Sequence, residues 1–468
     1  MRKILKLNLI VIIILLGVIF RLYNLNFDNL WIDEISSFWI ANPEISFQES
    51  YIQHKGIEQT PFLFNLILKT YFIIFGYEIN IARLIPCFFA IASILTVTYI
   101  SKLLKTNDSY IFTLFLISTN IFLITYSQEL RVYSVLFFFI SLSIIFFLKV
   151  LDNKNKFNLI FFNFFTLISI FLHPFAIIVY LSYCIFLTLY YLKYNIKFKE
   201  INYSLFFLII IILLYLYFYL HNTLDVPNWI EQPEIKFITN LYFSKFFGSR
   251  IIGLFFLLLL IFLLFKFKKK FLNLEKITLM LTIFILSYVL PLFCGWVFTP
   301  IILPRYLIFV LIPIIVIISN LIFELKNDKI KKIFIYTIAL ATIMNLFTEQ
   351  TIKQFYNNRQ VYKPEFKLAF DIINKSQNNK YSFNVKSDVQ YKKNAILALN
   401  NYVDYYKKRQ NLNIIYTNLD DDIDGNYWVI CLHDLNGNDC ELPKKIKVKK
   451  NIGLNRLNLK LIFNKFQN

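Results

Sequence analysis

Cysteine is scarce: five residues in 468 cannot staple a disulfide scaffold. Cys87, Cys184 and Cys294 fall within apolar runs and read as small core fillers. Glycine is also sparse, nine residues against 53 phenylalanines. Acids are in deficit, 29 against 49 Lys and Arg, which gives a net charge of +20. In a soluble protein that excess would suggest nucleic acid, but no DNA- or RNA-binding motif accompanies it. The lysines gather instead in short loops between apolar runs. No small-residue cleavage site follows the first apolar run, Leu7 to Tyr23, which Arg2, Lys3 and Lys6 precede. It reads as a retained signal anchor. Acids are missing from mid-span and no internal repeat is visible, which counts against a transporter or lipid flippase built from paired halves.

Apolar surface is what the chain has in excess. It is 57% hydrophobic and 19% aromatic, more than a soluble core of this length can bury, so it is an α-helical polytopic membrane protein. Runs of spanning length lie near 7–24, 79–101, 109–126, 132–151, 157–172, 174–192, 201–220, 250–266, 277–297, 306–323 and 332–348. The segment 61–75, PFLFNLILKTYFIIF, is apolar but short and carries Asn65 and Lys69. Loop charge decides its status. If the N-terminus is cytoplasmic and 61–75 does not cross, every Lys-rich short loop falls inside; if it crosses, the positive-inside rule is inverted along the whole chain. The segment is therefore an interfacial or re-entrant helix. That leaves about eleven spans of ~20 residues and a C-terminus on the outer face.

This topology places WIDE (31–34), HKGIEQTP (54–61), YSQELRVY (126–133), LHP (172–174), DVPNWIEQP (225–233) and TPIILPRY (299–306) outside. Charged residues at helix ends usually anchor at the interface, and Arg21, Glu44, Lys55, Glu78 and Arg250 are read that way, with Arg83 pairing with Glu78 or snorkelling outward. Asp33, Glu34, Glu58, Glu129, Arg131 and Arg305 differ, each lying within a few residues of Trp, Tyr or Pro at a helix end. Guanidinium pairs with phosphate through a planar fork and stays charged when partly buried. A carboxylate beside a second one, out of bulk water, binds protons more tightly and suits a base. One acid plus phosphate-binding arginines is what sugar transfer from a lipid phosphate requires.

The order of motifs resembles the C-type membrane glycosyltransferases. It is closest to the dolichyl-phosphate-mannose protein mannosyltransferase-like group, which includes the bacterial aminoarabinose lipid A transferases. The resemblance covers roughly residues 1–350. It rests on Trp31-Ile-Asp33-Glu34, Gln59-Thr-Pro61-Phe-Leu-Phe leading to Phe75-Gly76, Ala82-Arg83-Leu84-Ile-Pro86, Tyr126-Ser-Gln-Glu129-Leu-Arg131-Val-Tyr133, Leu172-His173-Pro174-Phe175 and Pro304-Arg305-Tyr306. Gln59-Thr60-Pro61 replaces a common double proline, and Glu58 a commoner aspartate. The family implies a multi-pass protein of a bacterial-type plasma (inner) membrane with an outward-facing site and a polyprenyl-phosphate-linked sugar donor. It also implies an inverting transfer to a lipid, glycan or protein acceptor. By that resemblance Asp33 is the general base and Glu34 orients the site or acceptor. Arg131 and Arg305 hold the lipid phosphate, and Glu58, Glu129, Tyr133, Tyr306 and His173 line the donor and acceptor pocket. No cofactor is required. A divalent metal is left open by Glu58 with His54 or His173, two candidate ligands making a weak site. The aromatic loop 221–245, with Trp229 and Tyr242, is a candidate wall or lid.

After about Thr348 the composition turns polar, which divides the chain into a transmembrane glycosyltransferase domain (1–350) and a small extracytoplasmic α/β domain (351–468). Within the tail, 365–375 and 392–409 have helical character, and 412–417, 427–433 and 445–449 alternate as strands. Leu435-Asn436-Gly437-Asn438 reads as a hairpin turn that would set Cys431 opposite Cys440, and a disulfide there suits an oxidising compartment. The lysines of 444–450 form a solvated strand face, or alternatively contact anionic lipid or glycan.

Overall fold

The computed structural model describes residues 2–58, 60–104, 108–153, 155–194, 199–223, 230–233, 235–267, 275–348, 363–385, 389–418, 425–432, 442 and 447–464. By Cα proximity the chain divides into two compact units. One is Met1–Tyr23 with Arg83–Arg359; the other is Asn24–Ala82 with Gln360–Asn468. The first extramembrane segment thus folds with the tail, although most of the first unit lies between them in the chain. The sequence boundary at 350 grouped that segment with the spans instead.

The first unit is a helical bundle. Among the described residues, eight helices are long and apolar enough to cross a membrane, beginning with α1 (Arg2–Leu22). The predicted span 109–126 is a pair, Ser109–Thr119 and Ile121–Ser127, bent by 53°. The predicted spans 157–172 and 250–266 correspond to 17-residue helices, Lys156–Leu172 and Arg250–Lys266, at the lower limit for a bilayer. The bundle is apolar on both sides. The window at Pro304–Phe323 is 89% buried inside the protein, whereas that of Ile4–Leu22 is 17% buried. Side chains such as Ile251, 84% exposed, belong against lipid, because water would penalise a continuous face of this kind. Gly253 allows one close approach: a Cβ there would meet the backbone nitrogen of Ser244 at 2.5 Å.

Lipid offers no hydrophobic drive between helices, so buried polar groups supply much of their cohesion. Asn320 accepts from Ser109 Oγ at 2.9 Å, and its amide donates to Ser101 Oγ at 3.2 Å and the Val316 carbonyl at 2.7 Å; Thr113 donates to Ser101 at 3.0 Å. This network joins three helices. Asn320→Leu removes three of these bonds and is expected to destabilise the bundle by about 1–2 kcal/mol. Thermal unfolding in detergent measures this, and an unchanged midpoint would show the network to be dispensable.

The bent pair has a local cause. Asn120 is extended (φ −67°, ψ 119°), and its Oδ1 caps the following helix at Leu123 N–H, 3.0 Å. The carbonyls orphaned at the break are taken by Arg21, whose Nη1 donates to Ser118 (3.0 Å) and Gly17 (2.9 Å) and whose Nη2 donates to Ile117 (2.9 Å). Arg21 is only 1% exposed. It is an internal clamp and not the interfacial anchor its helix-end position suggests. Gln128 then donates to the carbonyls of Phe20, Arg21 and Tyr23, which fixes the start of the QELR turn to the end of α1.

The second unit joins α2 (Ile32–Ile40), α3 (Phe47–Lys55) and α4 (Leu63–Phe75) to the tail. Thirteen residues of α4 rise ~20 Å, too short for a ~30 Å hydrocarbon core. Asn65 and Lys69 point inward. Asn65 meets His54, and Lys69 donates to the carbonyls of Ile45 (2.7 Å) and Asn42. Ile73, Ile74 and Phe75 are exposed, as expected of an amphipathic helix lying at an interface.

The tail contains a five-stranded mixed sheet of order β2-β1-β3-β5-β4: β1 (Lys380–Asn384), β2 (Ile415–Tyr416), β3 (Gly425–Leu432), β4 (Lys447–Leu454) and β5 (Leu457–Asn464). β3 is parallel to β1 and antiparallel to β5. Both its edges are therefore taken. The predicted turn at 435–438, Cys440, Lys444 and Lys445 lie outside the described residues, as does Trp229. Cys431 is disulfide-bonded, whereas Cys87, Cys184 and Cys294 are free thiols. β4 is the edge strand, and its lysines 447, 449 and 450 are exposed, a familiar guard against edge pairing.

Helix Val389–Gln410 carries α2. Tyr77 stacks on Phe38 (4.0 Å) and donates to Asn401 (3.0 Å). Glu78 accepts from Tyr405 (2.7 Å) and Arg409 (Nε, 3.2 Å), so its partner is a tail arginine. Those bonds from Arg409 hold the Glu78 carboxyl below the usual range despite partial desolvation. Arg83 is 2% exposed and does not snorkel.

Candidate active site

The predicted site residues fall into two sets. Asp33, Glu34, His54 and Glu58 belong to the second unit; Glu129, Arg131, Tyr133, His173, Arg305 and Tyr306 belong to the first.

In the second unit, α2 begins at Ile32 after extended Trp31. Glu34 reaches back to accept the Trp31 N–H at 3.3 Å and receives Lys363 Nζ at 2.8 Å, with its own side chain fully buried. Its carboxylate is therefore engaged within the second unit. Asp33 is the one residue of this helix that is not buried. Neither Lys363 nor its pairing with Glu34 was legible in the sequence.

His54 is 4% exposed, and both ring nitrogens are engaged: Nε2 donates to the Thr60 carbonyl at 2.7 Å, and Nδ1 accepts from Asn65 at 3.0 Å. The lone pair a metal would need is already used. His173 accepts the Phe175 N–H on Nδ1 at 3.2 Å and has two guanidinium charges acting on it, which repel a cation. No group of three or more His, Cys, Asp or Glu side chains is close enough to hold an ion among the described residues. His54 and His173 are thus each engaged in ways that disfavour a metal.

In the first unit the predicted residues converge. Arg131 follows the tight turn in which its N–H bonds the Glu129 carbonyl at 2.7 Å, and it is 7% exposed. Tyr133 opens the next helix. Pro304 starts a 3₁₀ turn that presents Arg305 and Tyr306. The Arg305 guanidinium lies 6.0 Å from the Tyr133 ring and 5.7 Å from that of Tyr306. His173 is 4.9 Å from Tyr306 and 6.4 Å from Tyr133, ring to ring. Tyr126 and Phe175, which the sequence reading gave no role, extend the wall at 5.4 Å from Tyr133 and 5.5 Å from Tyr306.

Burial, then Arg131 and Arg305, push His173 down to about 3. It is neutral near pH 7, and since Nδ1 accepts, Nε2 carries the hydrogen. The cluster is therefore rich in donors: two guanidiniums, an imidazole N–H and two phenols, which suits an anion. An unfolded histidine titrates near 6.5. Between pH ~6.5 and ~3 the unfolded chain binds a proton that the folded chain refuses, so stability falls as pH drops through that window. Wild type is expected to lose up to about 2 kcal/mol more than His173→Gln between pH 7 and pH 5. Parallel unfolding profiles for the two proteins would contradict the neutral assignment.

Among solved structures, ArnT from Cupriavidus metallidurans bound to undecaprenyl phosphate is similar at a TM-score of 0.55 and 10% identity, covering 98% of this chain and 97% of that one. The chain has the C-type glycosyltransferase fold. A second structure of this C-type fold, the apo oligosaccharyltransferase of Archaeoglobus fulgidus, matches at a TM-score of 0.51 and 12% identity, over 91% of this chain and 69% of that one. No family model and no curated protein matches the sequence. The structural likeness includes the tail, beyond the 1–350 that the motifs of the C-type fold covered.

Proposed function

We propose that this protein transfers a sugar from a polyprenyl-phosphate donor to an acceptor hydroxyl on the outer face of the membrane, with inversion. The observation that carries the reading is the donor cluster of Arg131, Arg305 and neutral His173 walled by Tyr133 and Tyr306. Asp33 takes the acceptor proton as the acceptor oxygen bonds to the anomeric carbon. The bond from that carbon to the phosphate oxygen breaks, and the pair leaves with polyprenyl phosphate. Phosphate charge grows by one unit in this step, and fixed guanidiniums favour the transition state over the ground state. A single displacement inverts the anomeric centre.

The lysine-rich loops and the disulfide at Cys431 support an outer location for the second unit. Purified protein in liposomes, supplied with defined polyprenyl-phosphate sugars and an envelope glycolipid or glycan fraction, tests the reading. It predicts glycosylated product that depends on the lipid-phosphate donor. Product formed equally well from a nucleotide sugar alone would overturn it.

A further inference from the structure

The tail contributes a specific charge to the helix that carries Asp33. Lys363 Nζ meets Glu34 Oε2 at 2.8 Å, and the two side chains are 12% and 0% exposed. Lys363 is itself held. The Asn455 side chain donates to the Lys363 carbonyl at 3.1 Å, and the Asn455 N–H donates to Glu365 Oε2 at 3.0 Å. Asn455 sits in the tight turn between β4 and β5, where Arg456 adopts φ +54°. A continuous line of bonds therefore runs from the sheet through Lys363 to Glu34, and Glu34 caps the first turn of α2 through the Trp31 N–H.

We infer that Lys363 is a positioning residue for sugar transfer: it neutralises buried Glu34 and so fixes the first turn of α2, on which Asp33 stands. An ionised carboxylate with no exposed surface needs a compensating charge. Loss of Lys363 removes a charge that holds Glu34 in the first turn, and a shift of about 1 Å at a reacting group costs up to ~100-fold in rate. The tail, which carries no catalytic motif of its own, thereby becomes part of the machinery. This inference rests on Asp33 being the base.

The test uses the full-length protein in the liposome assay, with folded protein counted by size-exclusion chromatography. Lys363→Met is expected to lower kcat by ~10–100-fold per folded molecule while KM for the donor stays near wild type. Lys363→Arg is expected to keep most activity. The double variant Lys363→Met with Glu34→Gln removes the uncompensated charge and is expected to exceed Lys363→Met alone in both yield and kcat, so the inference stays testable if the single variant folds poorly. Wild-type kcat in Lys363→Met overturns the inference, as does a double variant no better than the single one. Asp33→Asn is run alongside: if it is inactive while Lys363→Met is normal, only the inference fails, and if it is active, the base assignment fails with it.

Discussion

Asp33→Asn is expected to reduce kcat by about 10²–10⁴ while leaving donor affinity near wild type. The reason is geometric. Of the nine residues of α2, eight are committed to the interior of the second unit, and Glu34 is held by the Trp31 N–H and Lys363. Asp33 alone is not buried, so the proposed base on this helix has one candidate. Asparagine keeps the shape and the helix start but cannot accept a proton, which separates chemistry from folding. Measuring kcat and KM separately in the transfer assay checks it, because loss of a group acting only in the transition state lowers kcat without raising KM. Glu34→Gln is expected to behave differently, losing stability first, since it removes one partner of a buried pair. An Asp33→Asn enzyme with wild-type kcat would refute the assignment.

The second large effect belongs to the arginines. Arg305→Met and Arg131→Met are each expected to cost about 10²–10³ in kcat/KM and to weaken binding of free polyprenyl phosphate. Two guanidiniums and a neutral histidine converge here, and the leaving phosphate gains a negative charge as the sugar departs. Lysine substitutes are expected to recover only part of the loss, because ammonium lacks the planar fork and hydrates more strongly. Native mass spectrometry with polyprenyl phosphate and steady-state kinetics read the two effects separately. Arg305 variants that bind and turn over normally would leave the cluster as a structural feature of the bundle.

Hydropathy and loop charge made the spans and the short α4 legible, because both depend on local composition. The candidate cluster was legible where a motif sits on a single turn. Arg131 with Tyr133, and Arg305 with Tyr306, each lie on one local element, and the fold brings them together. What stayed hidden depends on distant contacts. Lys363 stands 329 residues from Glu34, and nothing near either residue announces the pair. Arg21 occupies the same helix-end position as an interfacial anchor, and only its 1% exposure and three carbonyl partners reveal a clamp. His54 has the right residue type for a metal ligand, but Asn65 and Thr60 already take both ring nitrogens. In the tail, the strands at 412–417, 427–433 and 445–449 were read from their alternation, whereas β1 and β5 were not. The parallel pairing of β3 with β1 joins segments about 47 residues apart, a separation that no local pattern spans.

The most direct measurement follows both products of a single turnover in proteoliposomes given one defined polyprenyl-phosphate sugar and an acceptor. The account predicts one molecule of free polyprenyl phosphate for each glycosylated acceptor, with the anomeric configuration inverted. Movement of the intact sugar lipid across the bilayer, with its sugar–phosphate bond unbroken and no acceptor modified, would contradict it.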